Sequence, residues 1–120
     1  MSQAVSILLA EDEFLLAMQI EALLTAAGWS VIGPASTVSS AVEFAQSTAC
    51  NGAVLDVNLR GERIDEAVHI LAKRGIPFLF TTGYWRDLLP APFRETAVII
   101  AKPYNEHVLT QAVKDLLGLK

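Results

Sequence analysis

The sequence predicts an α/β fold: a doubly wound parallel sheet of five strands with helices packed on both faces. Two observations support this prediction. Short apolar runs recur along the chain, and continuous apolarity over so few residues is typical of parallel strands buried on both faces. Segments with helical periodicity separate the runs, so the chain consists of five β/α units joined by right-handed crossovers. The predicted strands are residues 7–10, 30–33, 53–55, 78–80 and 98–101.

The first two helices are predicted from the spacing of apolar residues and from their end signals. The first helix lies between Glu13 and Gly28, because apolar residues recur there on one face and glycine is a common helix stop. Those apolar residues are Leu16, Ile20, Leu23, Leu24 and Ala27. The second strand ends at Pro34, and Ser36 or Thr37 then caps a second helix.

The third and last helices are predicted in the same way. The third covers residues 64–74 and turns Ala67, Val68, Leu71 and Ala72 inward. The last begins at Asn105, a good N-cap residue. Its predicted buried face consists of Val108, Leu109, Ala112, Val113, Leu116 and Leu117. Both helices therefore pack on the sheet through one side only.

The segment between the fourth and fifth strands departs from this pattern. Pro90 and Pro92 remove amide donors and disfavour helix in the residues before them. We therefore expect an irregular fourth helix, with about one turn near residues 86–89 and irregular chain after it.

The composition is that of one globular domain in the cytoplasm. Of the 120 residues, 52% are apolar, which argues against disorder. No apolar stretch approaches the ~20 residues of a membrane span, and the N-terminus lacks the basic and apolar segments of a secretory signal. A net charge of −4 with scattered basic residues disfavours direct binding to nucleic acid. Cys50 is the only cysteine, which excludes an intrachain disulfide.

Five polar residues stand where apolar strands end, namely Glu11, Asp12, Asp56, Thr82 and Lys102. The carboxyl ends of parallel strands meet at one edge of an open sheet, so these side chains are expected to converge in one crevice. Three acids, one hydroxyl and one ammonium group indicate a divalent cation and a phosphoryl group. Each residue alone has an ordinary interpretation, such as a helix start, a turn cap or a surface lysine. The combination predicts the site.

This pattern resembles the receiver domain of bacterial two-component response regulators over essentially the whole chain. The match consists of the acidic pair after strand one, Asp56 after strand three, Thr82 after strand four, and Lys102 with Pro103 after strand five. Residues 80–84, Phe-Thr-Thr-Gly-Tyr, are also similar to the Phe-x-Thr-Gly-Tyr signature of a receiver subgroup called FATGUY. The resemblance implies a flavodoxin-like strand order, 2-1-3-4-5.

The resemblance implies that Asp56 is the phosphoacceptor, a carboxylate nucleophile that takes a phosphoryl group from phosphohistidine. Repulsion among the neighbouring acids would oppose a phosphate, so a Mg²⁺ ion is required. Asp12 and Asp56 are the implied direct ligands, together with the backbone carbonyl of Asn58. Glu11 is implied to act through water.

Lys102 and Thr82 are implied to contact the phosphoryl oxygens, one through its ammonium charge and the other through its hydroxyl. The expected switch residues are Thr82, Gly83, Tyr84 and Ile99. Many receivers carry an aromatic residue three positions before the lysine, whereas this chain has Ile99. The signal is therefore expected to pass through Tyr84 and the proline-containing segment beyond it. Tyr84 is equally compatible with core packing and with a partner-facing surface.

The implied partners are a sensor histidine kinase or a histidine phosphotransfer protein, and an unidentified protein downstream. We expect one receiver domain over residues 1–120, without an output domain, that is a monomer or a phosphorylation-dependent dimer. Such a protein is not an enzyme, beyond slow autodephosphorylation at most. His69 and His107 lie on predicted helices without neighbouring ligand residues, so neither a phosphorelay nor a metal role is expected for them.

Two other functions are compatible with an aspartate at a strand end. Aspartyl phosphatases of the haloacid-dehalogenase type also use Mg²⁺, but they need a second aspartate two residues on, where this chain has Asn58. The other is a phosphate-independent interaction module of receiver fold, although such proteins tend to lose pocket residues and this chain keeps all five. Labelling by acetyl phosphate distinguishes a receiver from an enzyme that turns over phosphomonoesters.

Overall fold

A computed structural model describes residues 5–82, 99–101 and 106–118, with only the backbone described for Thr82 and 99–101. The strands are β1 (Ser6–Ala10), β2 (Ser30–Ala35), β3 (Gly52–Asp56), β4 (Asn58–Leu59), β5 (Glu62–Arg63), β6 (Phe78–Thr82) and β7 (Ile99–Ala101). The helices are α1 (Phe14–Ala26), α2 (Val38–Ser47), α3 (Asp65–Lys73) and α4 (Glu106–Leu116). Within these ranges, no helix is long and apolar enough to span a membrane.

The main sheet contains five of these strands in the order β2-β1-β3-β6-β7, and all neighbours are parallel. Its register places strand ends at one edge, since Asp56 lies opposite Thr81 and Thr82 lies opposite Ala101. The order of the first four strands agrees with the predicted 2-1-3-4 arrangement, and β7 pairs beyond them. The irregular fourth helix predicted between β6 and β7 falls within residues 83–98, outside the described residues.

Two apolar cores flank the sheet, as a doubly wound fold requires. One contains α2 and α3, and the other contains α1 and α4. Alternate residues of β1 serve opposite cores: Leu8 and Ala10 lie in the first, and Ile7 and Leu9 lie in the second. This explains why the strand is continuously apolar. Each fully buried leucine or isoleucine contributes roughly 1.5 to 3 kcal/mol relative to exposure, so both cores stabilise the sheet.

The helix boundaries agree with the predicted end signals. Gly28 (φ 94°) and Gly75 (φ 72°) adopt the left-handed conformation after α1 and α3. Of the two predicted caps of α2, the structure selects Thr37. Its Oγ1 accepts a hydrogen bond from the Ser40 N–H at 3.1 Å, and the Ser40 Oγ accepts one from the Thr37 N–H at 3.3 Å. The predicted cap of α4, Asn105, lies outside the described residues. Ala72 on α3 and Val108 on α4 are exposed, so the prediction that they face inward is wrong.

β2 is longer than predicted. It continues through Gly33 and Pro34 to Ala35, so the prediction that it ends at Pro34 is wrong. β2 is the outer strand of the described sheet, and a missing amide donor is tolerated on such a strand. Gly33 has φ 101°, and a Cβ there would lie only 2.8 Å from the carbonyl oxygen of Leu9. Glycine is therefore required at this position, next to the point where the pairing register of β1 and β2 shifts.

A short hairpin follows β3, where the sequence predicts only a connection to the third helix. β4 and β5 pair antiparallel, with Asn58 opposite Arg63. Arg60 (φ 52°) and Gly61 (φ 82°) form the loop, and positive φ at both positions suits the type I′ turn of tight hairpins. Leu59 is fully buried in the α2–α3 core and anchors the hairpin against the sheet.

Candidate functional site

Three acids meet at the carboxyl edge of the sheet. Glu11 and Asp12 directly follow β1, and Asp56 is the last residue of the neighbouring strand β3. One carboxylate oxygen from each residue lies within 4.8 Å of the others. The parallel pairing of the two strands causes this approach, because Ala10 and Leu55 are directly opposed and the acids come next.

The three acids differ in exposure and lie close enough to repel one another. Glu11 is 2% exposed and Asp56 is 5% exposed, whereas Asp12 is half-buried. At 4.8 Å and an effective dielectric constant of about 20, two unit charges repel by roughly 3.5 kcal/mol. A bound cation removes this repulsion, and carboxylate oxygens are the ligands that Mg²⁺ prefers. The acidic cluster therefore fits the predicted magnesium site.

Asp56 is oriented by the segment that follows it. The backbone N–H of Asn58 donates to Asp56 Oδ1 at 3.1 Å. The N–H of Val57 donates to the carbonyl of Thr81 at 3.3 Å, and the carbonyl of Val57 accepts from the N–H of Ile64 at 3.1 Å. The bond from Asn58 is local to the turn after β3, and the other two hold Val57, the next residue, to β6 and to the start of α3.

Asp12 is oriented by a distant part of the chain. The backbone N–H of Arg60, 48 residues away, donates to Asp12 Oδ2 at 2.8 Å. Arg60 Nε donates to the carbonyl of Ser36 at 3.2 Å. Asn58 Oδ1 accepts from the N–H of Gly61 at 2.9 Å and closes the hairpin loop. The hairpin therefore touches both the end of β1 and the connection between β2 and α2.

Glu11 takes part in the turn that starts α1. Its Oε2 accepts from the N–H of Glu13 at 3.1 Å, and its own N–H donates to the carbonyl of Ala35 at 3.0 Å. A carboxylate at the start of a helix is also favoured by the helix dipole. The acidic run can therefore serve as a helix start and as part of a metal site at the same time.

The structure places the other predicted site residues only in part. Thr82 ends β6 opposite Ala101, the last residue of β7, so its backbone lies at the carboxyl edge and Lys102 follows directly in sequence. Lys102, Gly83 and Tyr84 lie outside the described residues. Their roles stay predictions.

Two other predicted site residues are described by the structure: Asn58 lies beside the acidic cluster, and Ile99 lies on β7. Asn58 opens the hairpin and contacts Asp56 through its N–H, while the metal-ligand role of its carbonyl stays a prediction. Ile99 lies in β7 opposite Phe80. The sequence did not predict Arg60 and Ser36 as residues of the site. Only Gly61 indicates a turn in this segment, and no sequence pattern connects Arg60 or Ser36 with Asp12.

Comparison with solved structures identifies similar folds over nearly the whole chain. SdrG from Sphingomonas melonis Fr1 is 36% identical, with a TM-score of 0.82 over 98% of this chain and 99% of that chain. The PhyR response regulator REC domain from Erythrobacter litoralis is 28% identical, with a TM-score of 0.84 over 98% and 92% of the two chains. A response regulator receiver protein from Sinorhizobium medicae WSM419 is 26% identical, with a TM-score of 0.82 over 97% and 96%.

The match to curated relatives covers most of this chain but only about half of each relative's sequence. The phyllosphere-induced regulator PhyR of Methylorubrum extorquens is 33% identical over 95% of this chain and 44% of the relative. The transcriptional regulatory protein PdtaR of Mycobacterium tuberculosis is 29% identical over 90% and 54%. The chain thus spans about half the length of the curated relatives it matches. No protein-family model matches the chain.

Strand order, the acidic cluster and these similarities lead to one conclusion: the chain belongs to the response regulator receiver family. Its acidic cluster of Glu11, Asp12 and Asp56 offers the carboxylate oxygens that a Mg²⁺ ion would bind.

Proposed function

We propose that this chain is a single-domain response regulator whose Asp56 accepts a phosphoryl group from a histidine kinase or a histidine phosphotransfer protein. The carrying observation is the acidic cluster, in which Asp56 ends a central strand and is held by the N–H of Asn58. The similarity to SdrG supports a single domain, since it extends over 99% of that chain. A BeF3-activated conformation of SdrG, 35% identical to this chain, supports a phosphorylation switch.

In the proposed reaction the Asp56 carboxylate attacks the phosphorus atom of phosphohistidine. An O–P bond forms while the N–P bond breaks, and its electron pair returns to the imidazole nitrogen. Asp12, Asp56 and the carbonyl of Asn58 would hold Mg²⁺, with Glu11 acting through water. A Mg²⁺ ion bound there would offset the negative charge of the carboxylates and of the incoming phosphoryl group. The N–H of Asn58 holds Oδ1 of Asp56 and so orients the nucleophilic carboxylate.

Thr82 and Lys102 are proposed to contact the phosphoryl oxygens. The register of β6 and β7 supports this, because both strands end at the edge that carries the acids. A hydroxyl donor and an ammonium charge stabilise negative charge that develops on the oxygens during transfer. Both groups position and neutralise and carry out no covalent chemistry of their own.

Acetyl phosphate tests the acceptor assignment. The wild-type protein is expected to gain one phosphoryl group in a Mg²⁺-dependent, hydroxylamine-sensitive reaction, and Asp56→Asn is expected to gain none. Asp115→Asn is the matched control, because Asp115 is exposed on α4 and bonded to Gln111 at 2.9 Å. Normal labelling of Asp56→Asn would sink the assignment. Rapid turnover of varied phosphomonoesters would instead support the phosphatase alternative.

The phosphoryl donor is proposed to dock over the first turns of α1. Phe14, Leu15 and Met18 are 72%, 69% and 51% exposed, and this helix starts directly after the acidic run. Large apolar side chains exposed together mark protein contacts, and a donor that reaches Asp56 must cover this edge. Replacing Phe14 and Leu15 by serine is expected to slow transfer from a phosphorylated histidine kinase and to leave acetyl phosphate labelling unchanged. Equal rates from the kinase would place the docking surface elsewhere.

The signal is proposed to leave through Thr82, Gly83 and Tyr84 as in the FATGUY subgroup. The Phe-Thr-Thr-Gly-Tyr sequence at residues 80–84 supports this proposal. So does Ile99, which occupies the position of the usual aromatic switch residue on a strand paired with β6. The downstream target is proposed to be a protein in the cytoplasm, bound by a monomer or by a phosphorylation-dependent dimer.

A further inference from the structure

We propose that Arg60 is a positioning residue for the cation site. In this inference the backbone of the hairpin loop holds Asp12, and the side chain of Arg60 holds the hairpin loop. It rests on the proposed Mg²⁺-dependent function, and it adds a residue that the strand-end pattern does not contain.

The first link is the bond from the Arg60 N–H to Asp12 Oδ2, at 2.8 Å. A carboxylate has two oxygens, so one can accept this bond while the other faces a cation. A hydrogen bond to an ionised acceptor is stronger than one to a neutral acceptor. The Arg60 N–H therefore restrains the side-chain rotamer of Asp12. Asp12 is the half-buried member of the cluster, so packing restrains it less than it restrains Glu11 or Asp56.

The second link is the bond from Arg60 Nε to the carbonyl of Ser36, at 3.2 Å. Arg60 has φ 52°, a conformation that glycine, asparagine or aspartate adopts more easily in a two-residue hairpin loop. Turn geometry therefore does not explain an arginine at this position. Its side chain does, because it fastens the loop to the connection between β2 and α2.

The charge of Arg60, considered alone, would weaken Mg²⁺ binding, whereas its positioning role would strengthen it. A guanidinium beside a cation site repels the cation, so removing Arg60 should tighten Mg²⁺ binding if electrostatics dominates. If positioning dominates, removing Arg60 frees Asp12 and weakens binding. The sign of the change therefore decides between the two effects.

The test is calorimetric titration of Mg²⁺ into wild-type protein and three variants. Arg60→Ala is expected to weaken binding about two- to tenfold, the range for one hydrogen bond. Arg60→Gly relieves the positive φ but also removes the link to Ser36, so it is expected to weaken binding as well. Arg63→Ala is the matched control. It removes the same charge from the same hairpin, where Arg63 pairs with Asp65 at 3.2 Å, and its affinity is expected to stay equal or increase slightly.

Amide hydrogen exchange in EDTA checks the clamp without metal. The Arg60 N–H is expected to exchange more slowly in wild-type protein than in Asp12→Ala. Equal exchange, or Mg²⁺ binding by either Arg60 variant as tight as that of Arg63→Ala, overturns the inference. Failure of the metal site itself is distinguishable, because Asp12→Ala would then bind Mg²⁺ like the wild type.

Discussion

The two aspartates that meet across β1 and β3 are positioned in different ways. Asp56 is 5% exposed, and its Oδ1 is held by an amide two residues on. Asp12 is half-buried, and its Oδ2 is held by the Arg60 amide 48 residues away. The first contact forms whenever the turn after β3 forms. The second requires β1, the hairpin and the β2–α2 connection to be in place together, so one half of the site depends on the whole fold.

The largest expected effect separates the roles of these aspartates. Asp56→Asn is expected to abolish labelling by acetyl phosphate, because the acceptor is gone. Asp12→Asn keeps the acceptor and an oxygen for the Arg60 amide, and is expected to slow labelling on the order of a hundredfold through loss of one charged ligand. Intact-mass spectrometry over time measures both rates. Wild-type labelling of Asp12→Asn would remove Asp12 from the site.

The hairpin anchor is expected to affect stability and metal binding together. Leu59→Ala leaves a cavity under the hairpin and should lower the free energy of unfolding by about 2 to 5 kcal/mol. Because the hairpin holds Asp12, it should also weaken Mg²⁺ binding. Leu71→Ala is the control, since Leu71 is fully buried in the same core but belongs to α3. Denaturant titration and calorimetry should show similar destabilisation of both variants and weaker Mg²⁺ binding in Leu59→Ala alone.

Mg²⁺ itself is expected to stabilise the protein through the acidic cluster. At a concentration ten times the Kd the gain is about 1.4 kcal/mol, seen as a higher Tm in differential scanning calorimetry. Asp12→Ala should abolish this gain. In EDTA the same variant should have a higher Tm than the wild-type protein, because it removes repulsion within the cluster. A wild-type Mg²⁺ response in Asp12→Ala contradicts the site.

The smallest expected effect concerns the route of the signal. A coupling of only ~1 to 3 kcal/mol through Thr82 is enough to change amide exchange in a neighbouring segment. On addition of beryllofluoride, we expect larger changes in exchange over residues 83–95 than in α1, α2 or α3. Thr82→Ala should reduce the difference. Identical exchange of residues 83–95 in both states, with a response at the hairpin instead, would place the switch on the β3 side of the site.

Much of the fold follows from sequence patterns because those patterns are local. Apolar runs mark the strands, and the spacing of Ile20 and Leu24 marks the buried face of α1. The sequence allows either Ser36 or Thr37 as the cap of α2, and the contact with Ser40 shows that Thr37 is the cap. The prediction of β2 is wrong at Pro34 because a rule about proline in strands depends on whether the strand lies at an edge, which one segment does not reveal.

By itself, the sequence determined the alternation of strands and helices and the placement of acids at strand ends, because apolar periodicity and charge belong to single segments. Tertiary structure decided how those acids are held. The hairpin loop depends on positive φ at Arg60, a conformation that arginine does not favour, and the contact with Asp12 joins residues 48 positions apart. Such a contact gains its free energy only after the intervening chain has folded, so no local pattern encodes it.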